Sequence, residues 1–191
     1  MRKLVYYVGV SLDGYIAGPQ GQFDFYPLAD DMVAWFGERY PDSVPTHLRV
    51  QLGLPVDMPN KVWDTVLMGR GSYEPGLAVG AESPFNHLKQ YVFSSTLKPV
   101  DNPQVEIVDT DPVELVRQLR QREGLDIWLC GGGNLAGQLI DEIDQLIIKS
   151  YPVLAGGGIP VFSGDFKPTR FKVTERREFS SGAQVSWFDR A

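Results

Sequence analysis

A chain of 191 residues fits one domain, and 43% hydrophobic with 12% aromatic content is ample for a full core, which excludes a disordered chain. A formal charge of −6 and a pI near 4.9 argue against nucleic acid as a partner, because binders of the phosphate backbone concentrate positive charge on one face. Cys130 is the only cysteine, so no intrachain disulfide can form and the cytoplasm is the expected compartment; no apolar stretch approaches the roughly 20 residues of a membrane span.

Arg2 and Lys3 precede an apolar run at 4–10 that imitates a signal peptide, but Asp13 follows almost at once and no small-residue cleavage site is visible. The run at 3–10 therefore reads as a buried first strand. Further strand-like runs, rich in Val, Ile, Leu, Tyr and Phe, stand at 62–68, 90–93, 105–108, 127–130 and 146–151, with 171–179 and 183–188 at the end. Helical patterns at 28–40, 112–122 and 134–142 separate several of them. This alternation predicts an α/β fold with helices on the faces of a largely parallel sheet, in one domain over 1–191. Residues 41–60, with four prolines and one glycine, read as an irregular excursion, expected to shape a substrate pocket. Asp111-Pro112-Val113-Glu114 predicts a capped helix start in which Glu114 completes a capping box. At the end, Phe171 and Val173, then Val185 and Trp187, alternate with polar residues on either side of Ser180-Ser181-Gly182, which predicts an antiparallel hairpin. Trp63, Trp128 and Trp187 read as core aromatics, and Cys130 as a small buried residue. His47 and His87 read as solvent-exposed, and no His, Cys, Asp or Glu spacing suggests a metal.

Four segments carry chemistry. In V-L-M-G-R-G-S-Y-E at 66–74, an apolar strand breaks at Gly69 and delivers Arg70 at a helix start, where free N–H groups and a guanidinium suit a phosphate; an ordinary surface arginine after a turn has the same pattern. In D-I-W-L-C-G-G-G-N-L-A-G at 126–137, three glycines let the backbone approach a pyrophosphate. No Lys-Ser or Lys-Thr follows, so this is not a Walker loop, and a dehydrogenase of the Rossmann type built on Gly131 to Gly137 would leave only about 65 residues for its cofactor unit. Tyr91 to Thr96 ends a strand with the hydroxyls of Ser94, Ser95 and Thr96. Val8 to Gly18 runs a strand into a loop punctuated by glycines.

In order, these segments resemble the dihydrofolate-reductase-like superfamily, and in particular the C-terminal reductase domain of the bifunctional riboflavin-biosynthesis protein. The resemblance covers nearly the whole chain. It rests on S-L-D-G-Y-I-A after the first strand, M-G-R-x-S-Y-E, the S-S-T strand end, G-G-G-N-L-A, and Y-P-V-L-A-G-G-G-I-P-V-F at 151–162. It implies a three-layer αβα fold whose mostly parallel, mixed sheet ends in the C-terminal hairpin, with NADPH across the carboxyl ends of the parallel strands. By this resemblance Gly69, Arg70, Gly71 and Ser72 hold the 2′-phosphate or its neighbours, and Ser94, Ser95 and Thr96 line the adenosine. Gly131, Gly132, Gly133, Asn134 and Leu135 receive the pyrophosphate, while Val8, Gly9, Ile16 and Ala17 flank the nicotinamide. The implied activity is hydride transfer to a small heterocycle, a pyrimidine such as 5-amino-6-ribosylaminouracil phosphate or a pterin. The chain lacks the H-x-E and P-C-x-x-C zinc pattern of a deaminase, so a stand-alone reductase is expected, with a homodimer a family expectation.

The proton donor is open among Asp24, Asp30, Asp31 and water. True dihydrofolate reductases carry their acid just before an A-W-F run like Ala34-Trp35-Phe36, with different spacing; in a helix Asp31 shares a face with Trp35, while Asp30 suits a cap. Asp31 is therefore the candidate catalytic residue. The competing reading keeps the fold and drops catalysis, leaving a nucleotide-binding or oligomerisation module.

Overall fold

The first apolar run forms strand β1, Leu4–Val10, and its side chains divide between two cores. In the computed structural model, which describes residues 1–191, Val5 and Tyr7 enter one cluster and Leu4, Tyr6, Val8 and Val10 the other. A strand apolar on both faces requires a covering layer on each. The remaining elements are β2 (Tyr15–Ala17), α1 (Asp30–Arg39), β3 (Trp63–Gly69), α2 (Arg70–Ala78), β4 (Lys89–Phe93), β5 (Val105–Val108), α3 (Pro112–Arg120), β6 (Asp126–Gly131), α4 (Gly133–Gln138), β7 (Gln145–Ser150), β8 (Ile159–Pro160), β9 (Phe171–Glu178) and β10 (Gln184–Arg190). Helices α1 and α2 cover the first cluster through Met32, Trp35 and Tyr73; α3 and α4 cover the second through Val116, Leu119, Leu135 and Ala136.

The eight-stranded sheet has the order β5-β4-β3-β6-β1-β7-β10-β9. The strands from β5 to β7 run parallel, and β10 and β9 join antiparallel. This is the three-layer αβα arrangement with the expected C-terminal hairpin. Its turn is Ser180-Ser181-Gly182, where Gly182 at φ +80° donates its N–H to the Phe179 carbonyl at 2.8 Å. The expected core tryptophans stack on the α1 side: Trp63 lies 5.5 Å from Trp128, and the Trp187 indole donates to the Tyr40 hydroxyl at 2.7 Å.

Several expectations change. Residues 15–17, read as loop, pair with 159–160, which had no element assigned, as a second two-stranded sheet. Val173 in β9 is 39% exposed, because β9 is the outermost strand of the sheet. Its Lys172, Glu175, Arg176, Arg177 and Glu178 guard that edge against pairing with another chain. Helix α3 is capped by Asp111, whose carboxylate accepts from Val113 N–H at 2.8 Å, but Glu114 takes the Gln118 amide instead of completing a capping box. Helix α4 is shorter than 134–142, ending at Gln138.

The excursion at 41–60 does not reach the carboxyl ends of the strands. Asp42 is fully buried, and its carboxylate accepts from the N–H groups of Lys61, Val62 and Trp63 at 2.6–3.0 Å, which pins the excursion to the amino end of β3. Three short 3-10 turns, Pro41–Ser43, Thr46–Leu48 and Val50–Leu52, wrap around buried Arg49. His87 is half-buried here rather than solvent-exposed: one ring nitrogen meets Thr46 and the other the Asp42 carbonyl, both at 2.9 Å. Asp42 and His87, buried polar groups whose bonds go to the protein itself, serve structure.

Candidate active site

Parallel strands joined by right-handed crossovers place all their carboxyl ends on one edge, so the loops after β1, β3, β4 and β6 share that edge. After β3 the chain is extended at Gly69 and turns into α2 at Arg70 with no side chain capping the helix start. The first-turn N–H groups there lack helical partners. The Arg70 side chain is 53% exposed, held by Glu74 at 2.6 Å and donating to the Thr96 hydroxyl at 3.0 Å. Ser94 shapes the turn below it, accepting from the N–H groups of Thr96 and Leu97 at 3.2 and 3.1 Å. Ser95 stands exposed beside them. Two of the four segments thus meet at a guanidinium flanked by hydroxyls, a setting suited to a phosphate monoester.

The glycine segment after β6 meets the same edge. Gly131 has φ +128° and joins Gly132 through a cis peptide. A Cβ on Gly69 would lie 3.5 Å from the Gly132 nitrogen, so the turns after β3 and β6 touch backbone to backbone. A Cβ on Gly131 would stand 3.6 Å from the Ser72 hydroxyl, 3.8 Å from the Tyr6 hydroxyl and 3.9 Å from Ile16, which marks an open cradle walled by those side chains. Gly69, Ser72, Gly131, Gly132 and Ile16 therefore lie together on this edge.

Other expected residues are placed differently. A Cβ on Gly133 would collide with the Pro160 carbonyl, and one on Gly137 with the Ser163 carbonyl, so these glycines exist for the close passage of segment 160–163 over α4. Leu135 is 4% exposed in the second core, and Asn134 accepts the Gln138 amide at 2.6 Å. Gly71 lies in the first turn of α2 with open space around its Cα. Val8 points into the second core, Gly9 faces the edge of the Tyr151 ring at 3.0 Å from its would-be Cβ, and the Ala17 backbone packs against Gly158.

Among the carboxylates, Asp24 is exposed and Asp30 occupies the first position of α1, whose cap is Ala29. Asp31 turns to the C-terminal hairpin: its two oxygens accept the Ser180 N–H and hydroxyl, each at 2.9 Å. The Ser180 N–H is the main reason its carboxyl lies below the ordinary value. A depressed carboxyl stabilises the fold above the ordinary value near 4 and loses that contribution as pH falls through the lowered one. Asp31→Asn is thus expected to lower Tm slightly at pH 7, with the gap to wild type closing below about pH 4, in thermal melts across pH.

Several residues at this edge were given no role by the sequence. Asp13 accepts the N–H groups of Ala155 and Gly156 at 3.0 and 2.7 Å and the Ser11 hydroxyl at 2.6 Å, which clamps the glycine loop beyond β7 onto the first loop and draws its carboxyl down to about 2. Tyr26 folds the segment before α1 back over the edge: its ring stacks on Tyr151 at 4.5 Å and its hydroxyl donates to the Tyr15 carbonyl at 2.7 Å. Lys149, in β7 opposite Gly9, extends its ammonium over the Tyr7 ring, 3.9 Å from the centroid. At the opposite end of the strands is a depression lined by Arg2, Arg120 and Arg122; Arg2 pairs with Asp64, Arg120 with Glu142 and Asp144, and Arg122 donates to the Tyr91 hydroxyl.

The chain matches the family described as the RibD C-terminal domain over residues 2–185. It is 28% identical over 188 residues to the uncharacterized protein YwjB of Bacillus subtilis (strain 168), covering 97% of both chains. A second relative from that bacterium, the uncharacterized protein YyaP, is 29% identical over 194 residues, covering 95% of this chain and 91% of YyaP. Among solved structures, a candidate riboflavin biosynthesis protein from Shewanella sp. PV-4 superposes with a TM-score of 0.71 at 22% identity over 99% of each chain. A diaminohydroxyphosphoribosylaminopyrimidine deaminase/5-amino-6-(5-phosphoribosylamino)uracil reductase from Thermotoga maritima superposes with a TM-score of 0.64 at 18% identity, over 100% of this chain and 57% of that one. These likenesses establish the fold.

Proposed function

Because the chain belongs to the RibD C-terminal domain family, we propose that it is an NADPH-dependent reductase acting on a small heterocyclic substrate such as a ribosylaminopyrimidine phosphate. The observation that carries this reading is the meeting of Arg70 and Thr96 with the Gly69–Gly132 backbone junction on one sheet edge. The residues present fit a dinucleotide phosphate. A side chain on Gly131 would intrude on the cradle between Ser72 and Ile16, the start of α2 has uncapped donors, and the guanidinium is accessible.

When bound, the reduced nicotinamide supplies the hydride. Arg70 and Thr96 bind the phosphate that marks NADPH, while the α2 start and Ser72 orient the neighbouring phosphates. Ile16 flanks the ring. Tyr26 and Tyr151 cover the edge and exclude water from the reacting carbon. No helix is long and apolar enough to cross a membrane, and we place the reaction in the cytoplasm.

Trp128 stands three residues before Gly131 on β6, so NADPH is expected to change tryptophan fluorescence saturably. At a hundredfold excess over Kd it should also stabilise the fold by about 2.7 kcal/mol in thermal melts. Absence of both effects overturns the reading, whereas binding without turnover of any substrate favours a non-catalytic nucleotide module.

A further inference from the structure

Two side chains of opposite charge share the phosphate corner. Arg70 donates from Nε to Glu74 Oε1 at 2.6 Å and from Nη1 to the Thr96 hydroxyl at 3.0 Å. Its Nη2 meets no acceptor on the protein, and Glu74 Oε2 accepts from no protein donor. Both side chains are about half exposed, at 53% and 43%, so the free nitrogen and the free oxygen are open to a ligand in the same place. The other neighbours in the corner, Thr96 and Ser94, carry no charge. Glu74 thus offsets much of the positive charge that Arg70 and the start of α2 bring to a phosphate.

The two nicotinamide cofactors ask for different chemistry at this corner. The 2′-phosphate of NADPH needs a cation, whereas the 2′-hydroxyl of NADH is a donor that a carboxylate can accept, and dinucleotide sites ordinarily present one or the other. Here both stand side by side, bonded to each other. We infer that Glu74 sets the cofactor selectivity of the site: it restrains NADPH by repelling the 2′-phosphate and accepts the ribose 2′-hydroxyl of NADH, which the site takes as a second cofactor. This rests on the NADPH reading above. Three effects of Glu74 compete, and their sizes decide the outcome. Orientation of Arg70 is the weakest, because the pair is exposed and Thr96 holds the guanidinium independently. Repulsion is larger, since a phosphate monoester carries roughly −1.5 to −2 charges at pH 7 and would lie one guanidinium away, within the Debye length of about 10 Å at 0.1 M salt. For NADH no phosphate is repelled, and a hydrogen bond to an ionised acceptor outweighs one to a neutral acceptor.

The test titrates the full chain with NADPH and with NADH, following tryptophan fluorescence, in wild type, Glu74→Gln and Glu74→Ala. Wild type is expected to bind both cofactors, NADPH the more tightly. Glu74→Gln keeps an acceptor for Arg70 Nε and removes only the charge, so Kd for NADPH is expected to fall about three- to tenfold while Kd for NADH rises about threefold. Glu74→Ala also removes the acceptor: NADH should weaken further, and NADPH should gain less than in Glu74→Gln because Nε is released. The NADPH gain in Glu74→Gln should shrink as salt is added. A merely structural role would move both cofactors in the same direction, and only selectivity moves them in opposite ones. Failure of wild type to bind NADPH sinks the cofactor reading itself. With NADPH bound, weaker NADPH binding in Glu74→Gln, equal shifts for the two cofactors including none, or a wild type that does not bind NADH overturns this inference alone.

Discussion

Arg70→Ala is expected to weaken NADPH binding by roughly 10- to 100-fold while NADH binding moves less than threefold, because a charge-assisted hydrogen bond to phosphate contributes about 1.5–3 kcal/mol. The two cofactors differ only in the 2′-phosphate, so the ratio of the effects isolates that group. Arg70 is suited to it because Thr96 fixes one end of the guanidinium at 3.0 Å while more than half the side chain faces solvent. Its ion pair with Glu74 is exposed and contributes little, so the folded state should survive the change. Arg70→Lys is expected to recover only part of the affinity, since a single ammonium cannot hold Thr96 and a phosphate in a planar fork. Salt should erode the wild-type preference, as screening acts on an accessible charge. Fluorescence titration with both cofactors measures all of this. An equal loss for NADPH and NADH would assign Arg70 to the pyrophosphate instead.

Gly137→Ala is expected to destabilise the fold by about 3 kcal/mol, lowering Tm by roughly 6–12 °C in a domain of this size. On helix propensity alone the change should help by about 1 kcal/mol, because alanine outranks glycine in a helix. Packing reverses the sign. The new Cβ would collide with the Ser163 carbonyl, and that segment cannot retreat freely because Ser163 N–H donates to the Gly133 carbonyl at 3.0 Å. Gly71→Ala is the control: it also lies in a helix, and its Cβ meets nothing within 4 Å. That variant should be neutral or slightly stabilised in the same melts. Equal stability of the two variants would refute the close passage of 160–163 over α4.

Both predictions turn on residues that the sequence singled out, one of them for a different reason. Arg70 and Gly131 were legible because a strand ending in glycine before a helix is a local pattern, and α/β connections bring such ends to one edge. Gly133 and Gly137 sit in an equally local pattern, yet their neighbours are Pro160 and Ser163, far along the chain. Whether a glycine admits a ligand or another backbone is a tertiary fact. Asp31 shows the same limit: the sequence placed it on the Trp35 face of a helix, but its partner Ser180 is 149 residues away. Asp42 likewise drew the excursion at 41–60 to the amino end of β3, where no composition rule would put it.

By itself the sequence determined most strands and helices of the main sheet, the placing of helices on its faces and the C-terminal hairpin. These follow from hydrophobic period, capping and turn residues along the chain. Only the tertiary structure decided that β2 and β8 pair, that β9 presents charges on both faces and that Lys149 stands uncompensated over Tyr7. A lysine in a terminal strand position reads as solvent-facing until register sets it opposite Gly9 and beneath α1. Burial, and with it the energy of a charge, depends on what distant segments bring to the same place.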